Sequence, residues 1–200
     1  TTKFKINKYE IDLSDDWKEI DYSEIIKEKT GIDIMSADES EIKEKLNQLK
    51  IKYEKNDRKG RLIDLLWKNI RKEIAGPAFL VNHPVEVSPL AKRKKDDERK
   101  VERYQVILAG SENGNGYSEL NDPHDQEKRF EEQAKLRAEG DIEAQMHDSD
   151  FVEALMYGMP PTSGFGFSER LFATLIDKPV RECVMFPLLK PNQPNAGNNK

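Results

Sequence analysis

The sequence predicts an α+β fold, an antiparallel β-sheet flanked by helices, and three observations point there. Residues 101–108 are rich in β-branched and aromatic side chains, the composition that favours strands. The small turn Ala109-Gly110-Ser111 returns them into a second extended run ending at Asp122, which is a hairpin pattern. Ala78-Phe79-Leu80-Val81 is a compact apolar run of strand length, and it reads as a buried central strand. Residues 36–50 and 61–74, by contrast, place apolar side chains at helical spacing: Ile42, Leu46 and Leu49 in one, Leu62, Leu65, Leu66 and Ile70 in the other, with Trp67 beside the stripe.

The remaining elements follow in chain order. Residues 3–6 and 9–13 alternate as short strands around an Asn7-Lys8 turn, and a third strand over 17–21 leads into a helix over 22–29 that Thr30-Gly31 stops. Gly76-Pro77 ends the 61–74 helix before the central strand. Asp122-Pro123 opens another helix, with Asp as cap and Pro at the first position, running to about Ala138 and ending at Gly140. Residues 149–156 form a shorter helix with Phe151, Val152 and Leu155 as its apolar face. Ser168 caps a helix reaching about Ile176, and residues 179–186 turn through a short helical stretch. Residues 1–191 read as one domain, and 192–200, rich in Asn, Pro and Gly, as a disordered tail.

The 200 residues carry 33 Lys and Arg against 38 Asp and Glu, a net charge of −5. That balance is no footprint of general nucleic-acid binding. The only dense basic cluster is Lys92-Arg93-Lys94-Lys95; it reads as a surface loop, or as a local contact for RNA phosphates. No apolar run is long enough for a transmembrane helix, and a soluble, cytoplasmic protein is expected. The single cysteine, Cys183, excludes an internal disulfide and reads as a small buried hydrophobe. His124 and His147 have no Cys or second His at ligand spacing, and both read as surface residues.

Two glycine-rich stretches carry the chemistry. In Ser111-Glu112-Asn113-Gly114-Asn115-Gly116-Tyr117-Ser118-Glu119-Leu120-Asn121-Asp122, the two-residue repeat puts Asn113, Asn115, Tyr117, Glu119 and Asn121 on one face. Amides, a phenol and a carboxylate make a poor hydrophobic core, and the two glycines leave room for a ligand beside the backbone. A solvated edge strand is the plainer reading of the same polarity. Downstream, Gly164 and Gly166 flank aromatic residues, and Arg170 falls in the first turn of the following helix. A cation there opposes the helix dipole unless an anion or a flat π-system meets it, and a nucleotide offers both.

Together with Pro84-Val85-Glu86-Val87-Ser88-Pro89-Leu90-Ala91-Lys92-Arg93, Gly158-Met159-Pro160-Pro161-Thr162 and Arg181-Glu182-Cys183-Val184-Met185-Phe186-Pro187, these stretches resemble the class II lysyl-tRNA synthetases over nearly the whole chain. The resemblance covers the C-terminal part of that family's catalytic domain and implies an incomplete version of its fold. The family's motifs 1 and 2 and its anticodon-binding barrel have no counterpart in these residues. The resemblance implies that the parent protein activates lysine with ATP and Mg2+ and transfers it to tRNA-Lys. Little turnover is expected from these 200 residues by themselves. By resemblance, Glu119 binds the lysine ε-ammonium, Tyr117 packs along its stem, Asn115 meets its carboxylate end and Gly166 lines the pocket. Glu112 binds magnesium on the ATP phosphates, and Arg170, the catalytic residue, lies against the adenine and reaches the terminal phosphate. Gln105 stands where many members carry a second acidic metal ligand, so it is the weaker of the two. The Gly164–Arg170 motif is one residue and one glycine shorter than usual. A homodimeric parent is implied, with no membrane partner. A lysyl ligase acting on a translation factor, and a non-catalytic module that binds lysine or adenylate, stay open as alternatives.

Overall fold

The computed structural model describes residues 2–141 and 144–187. The N-terminal hairpin pairs β1 (Lys3–Ile6) with β2 (Tyr9–Asp12), turning at Asn7 with φ 51°. A five-stranded sheet follows, in the order β3 (Lys18–Asp21), β4 (Ala78–Val81), β5 (Arg103–Leu108), β6 (Ser111–Ser118) and β7 (Ser163–Phe167). The expected antiparallel sheet needs one correction: β3 and β4 run parallel, and only the other pairs are antiparallel. Parallel neighbours need a long crossover, and here it holds three helices, α1 (Tyr22–Thr30), α2 (Glu39–Gln48) and α3 (Lys59–Ile70).

Local chemistry sets the ends of these helices. Asp21 caps α1 through its side chain, and Gly31 closes it at φ 78°, a left-handed conformation that glycine adopts without strain. α2 starts at Glu39 rather than Ser36, because Asp38 and Glu41 form a reciprocal capping box. α3 stops at Ile70, and residues 71–73 continue as a 3-10 turn. The apolar stripes of the three helices cover one face of the sheet, where Ile26, Ile42, Leu46, Leu62 and Leu66 meet Ala78, Leu80 and Ile107. Trp67 lies inside this core rather than beside it, 1% exposed.

The last three helices are α4 (Pro123–Ala138), α5 (Ser149–Met156) and α6 (Arg170–Leu175). Leu171 of α6 packs with Ile6, Ile11 and Leu108, which places α6 against the N-terminal hairpin. Cys183 is half-buried, with its thiol near the Pro179 carbonyl, so the fully buried position expected for it does not occur. The predicted tail at 192–200 lies outside the described residues. Among the described residues no helix is long and apolar enough to cross a membrane.

Candidate functional site

The site is built on β6, and a bulge decides which of its side chains meet. The β5–β6 register runs Val106 to Gly114 and Ile107 to Glu112, so Asn113 has no partner opposite it. One extra residue resets the alternation of faces. Glu112 therefore joins Asn115, Tyr117 and Glu119 on one face, and Asn113, expected among them, leaves it. Asn113 is buried instead, its amide donating to the carbonyls of Leu108 at 2.9 Å and Ser111 at 3.0 Å, which ties down the hairpin turn.

Cross-strand pairing completes the face. Arg103 and Gln105 of β5 stand opposite Tyr117 and Asn115, and Gly164 and Gly166 of β7 flank the same two residues on the other side. A side chain at Gly166 would meet nothing within 4 Å, and one at Gly164 would meet first the Glu119 carboxylate, at 3.6 Å. The β7 glycines thus leave open floor beside Asn115, Tyr117 and Glu119. The glycines of β6 do something else, contrary to the ligand room read from them. A Cβ on Gly114 would come within 2.8 Å of the Phe165 ring, and one on Gly116 within 2.7 Å of Tyr104. Those two rings stack with centroids 5.7 Å apart on the opposite face of the sheet. Gly114 and Gly116 make space for aromatic packing.

Glu119 continues past β6, its N–H donating to the Thr162 carbonyl at 2.9 Å, and it bridges to Ala91. The cleft of about 560 Å³ beside these strands takes in Tyr104, Phe165, Val81 and Glu19 of the aromatic face along with Arg103 and Tyr117, and Asn115, Glu119 and Gly166 do not line it. A smaller one of about 210 Å³ adjoins Glu119, Lys92, Glu102 and Thr162. Burial, and then the charge of Glu119, hold the Tyr117 phenol above its ordinary pKa, so it stays a neutral donor beside the carboxylate.

The residues assigned to metal are differently placed. Glu112 Oε1 accepts the indole N–H of Trp67 at 2.6 Å and lies 3.6 Å from the Arg71 guanidinium. Gln105 is buried, with its Oε1 2.9 Å from His83 Nε2. Burial, aided by the Arg103 charge, pushes His83 down to about 3, so the ring is neutral and its N–H can serve the amide oxygen. A hard cation needs several free oxygens. No group of three or more His, Cys, Asp or Glu that could hold a metal occurs among the described residues. As arranged, Glu112 and Gln105 do not fit a magnesium ion, because each is already bonded within the protein.

Arg170 opens α6, which lies close to β6. Its side chain is exposed and forms no hydrogen bond or ion pair among the described residues, while its backbone N–H donates to Ser168 Oγ at 3.2 Å. The basic cluster is largely occupied too. Lys92 holds Asn121 Oδ1 at 3.0 Å, Arg93 forks onto Asp125, and Lys94 reaches Asn82 Oδ1 at 2.7 Å. Asp125 also pairs with Arg129, a 4% exposed residue whose guanidinium donates to the carbonyls of Ser88 and Ala91. This cluster is a strut beneath the Glu119 segment rather than a free basic loop.

No motif marks Trp67, Arg71 or Arg103 as site residues. The legible signal for Arg103 is a cation two residues from Gln105 on a strand that otherwise faces the core.

The sequence profile of the tRNA synthetases class II (D, K and N) matches residues 1–190. The chain belongs to that family. Among curated relatives of this class II synthetase chain, the lysine–tRNA ligase of Thermosipho africanus is 47% identical over 193 residues, covering 96% of the chain and 38% of the relative. That of Thermotoga maritima is 44% identical, with 96% of the chain and 39% of the relative covered. The Listeria monocytogenes lysine–tRNA ligase is 37% identical, covering 95% and 39%. The class II chain thus spans less than two fifths of the length of these relatives.

Proposed function

We propose that the protein carrying this chain is a lysine–tRNA ligase, which forms lysyl-adenylate from lysine and ATP and transfers lysine to tRNA-Lys. The observation that carries the reading is the Glu119 carboxylate beside Tyr117, above the open floor left by Gly164 and Gly166. An ammonium in that position gains a charge-assisted bond that partial desolvation strengthens. Tyr117 gives the aliphatic stem a flat wall and some cation–π attraction. Asn115 offers an amide to the lysine carboxylate, and Gly166 leaves clearance for the chain of the amino acid. Arg170, unengaged at the start of α6, is free to meet ATP. No protein nucleophile is needed; holding the lysine carboxylate in line with the α-phosphate carries the synthesis step.

Magnesium, when bound to ATP, supplies charge neutralisation on the phosphates, and no step is assigned to it through Glu112 or Gln105. The same reading makes tRNA-Lys the third substrate, the parent a homodimer and the cytoplasm its location. Calorimetric titration with lysine tests the pocket. Wild-type chain should bind lysine, Glu119→Gln should lose about tenfold or more in affinity, and norleucine, which lacks the ε-ammonium, should not bind. Equal lysine affinity in wild type and Glu119→Gln would remove Glu119 from the pocket. The commitment of Glu112 to Trp67 favours a second reading, lysine binding without catalysis. Lysine-dependent ATP–pyrophosphate exchange by the full parent protein separates the two.

A further inference from the structure

The half-buried Arg103 stands on β5 directly opposite Tyr117, and its partners restrict what Asn115 can do. Arg103 Nε donates to Asn115 Oδ1 at 2.8 Å, while its Nη1 donates to the Val87 carbonyl at 2.9 Å and to Ser88 Oγ at 2.8 Å. A guanidinium has donors only. The asparagine amide must therefore turn its oxygen toward Arg103 and its NH2 group away from it. That NH2 has no partner among the described residues, and Asn115 stands across from Gly166, where nothing would obstruct a side chain within 4 Å.

We propose that Arg103 is a positioning residue, which fixes the amide of Asn115 with its donor side toward the pocket and so selects a carboxylate-bearing ligand. Without Arg103 the amide can rotate by half a turn and present its oxygen, which repels a carboxylate. The guanidinium is anchored by Val87 and Ser88 on the loop that follows β4, so it cannot follow Asn115 as it turns. Desolvation lowers the Arg103 pKa from its ordinary value, the carboxylates of Glu112 and Asp64 act against it, and a guanidinium stays a cation in proteins. The assignment rests on the lysine-pocket reading for its ligand and on the hydrogen-bond geometry alone for the orientation of Asn115.

Two measurements separate those supports. The first needs no ligand: the Asn115 side-chain amide signals are followed by NMR in wild type and in Arg103→Met. The proposal expects a large shift or exchange broadening of that one amide, and unchanged signals would overturn it. The second compares lysine with cadaverine, which keeps the ammonium and lacks the carboxylate. Arg103→Met should weaken lysine about tenfold and leave cadaverine unchanged. Equal loss for both ligands would reduce Arg103 to a structural role and overturn the proposal. Absence of lysine binding in wild type, with the Asn115 signals still dependent on Arg103, would sink the lysine-pocket reading while the positioning of Asn115 stands. Should Arg103→Met not fold, Arg103→Lys serves. Its single ammonium cannot hold Val87, Ser88 and Asn115 together, so an intermediate loss confined to lysine is expected, and a loss shared with cadaverine counts against the assignment.

Discussion

Replacing Asp125 by asparagine should weaken the protein and the pocket together, in a pH-dependent way. Asp125 Oδ2 lies 2.8 Å from Arg129 and 2.9 Å from Arg93. Burial acts to raise its pKa, but the hydrogen bonds from Arg129 and Arg93 outweigh it and lower the group from 3.8 to about 2. A depressed carboxylate contributes stability above its unfolded value, and that stability is lost as pH falls through the folded value. At ~1.4 kcal/mol per pH unit, and after discounting for solvent that screens the partly exposed carboxylate, the shift corresponds to about 1–2 kcal/mol near neutrality. About half of that should remain near pH ~3. The neutral amide would also leave the Arg129 charge unmatched where that residue is 4% exposed, so about 2–3 kcal/mol is the expected total loss. With a urea m-value of about 2–3 kcal/mol per molar, the denaturation midpoint should move by about 1 M. Because Arg129 holds the Ala91 carbonyl, and Ala91 bridges to Glu119, lysine affinity should fall in the same variant. Urea unfolding of wild type and Asp125→Asn at neutral pH and near pH ~3 is the assay. A stability gap that stays constant across that range would refute the reasoning, since the gap would then not come from the ionised carboxylate.

Further outcomes follow from single contacts. Gly116→Ala drives a methyl to 2.7 Å from the Tyr104 ring and should destabilise by about 1–3 kcal/mol. Gly166→Ala meets nothing within 4 Å, so it should keep stability within ~0.5 kcal/mol while blocking lysine; equal thermal midpoints for the two variants would contradict this. Trp67→Phe removes the indole N–H from the Glu112 carboxylate and should lower unfolding free energy by about 1.5–3 kcal/mol, read by urea denaturation. Gln105→Glu puts a carboxylate 2.9 Å from His83 Nε2, which should raise the imidazole from about 3 by ~1–3 pH units, followed by NMR titration of the ring.

What can be read in the sequence is what neighbours in the chain decide. Gly31 as a left-handed stop, Asp122-Pro123 as a helix start and the Ala109-Gly110 turn depend on two to four consecutive residues, and each appears where expected. The start of α2 lies three residues beyond the expected one because Asp38 caps the helix in a reciprocal box with Glu41. What escapes depends on partners distant in sequence. Trp67 sits 45 positions from Glu112, and Arg129 sits 38 from Ala91. The glycines of β6 are legible as sites of close approach, but nothing nearby says whether a ligand or the Phe165 and Tyr104 rings make that approach. A one-residue bulge is equally silent: strict alternation predicts Asn113 on the pocket face, and only the β5 register shows Glu112 taking that place.

That bulge has a consequence for how chain length can vary in this family. Within β6, a residue lost between Gly114 and Ser118 would send every later side chain through the sheet, and Glu119 would emerge among the aromatic rings. Loss of Asn113 alone would close the skipped position, leaving Ile107 opposite Glu112 and Val106 opposite Gly114, as they already are. Asn113 is thus a slot in the strand where a deletion can be absorbed without exchanging the two faces. A shortened variant lacking it should keep lysine affinity and lose only the turn's anchorage by the asparagine amide.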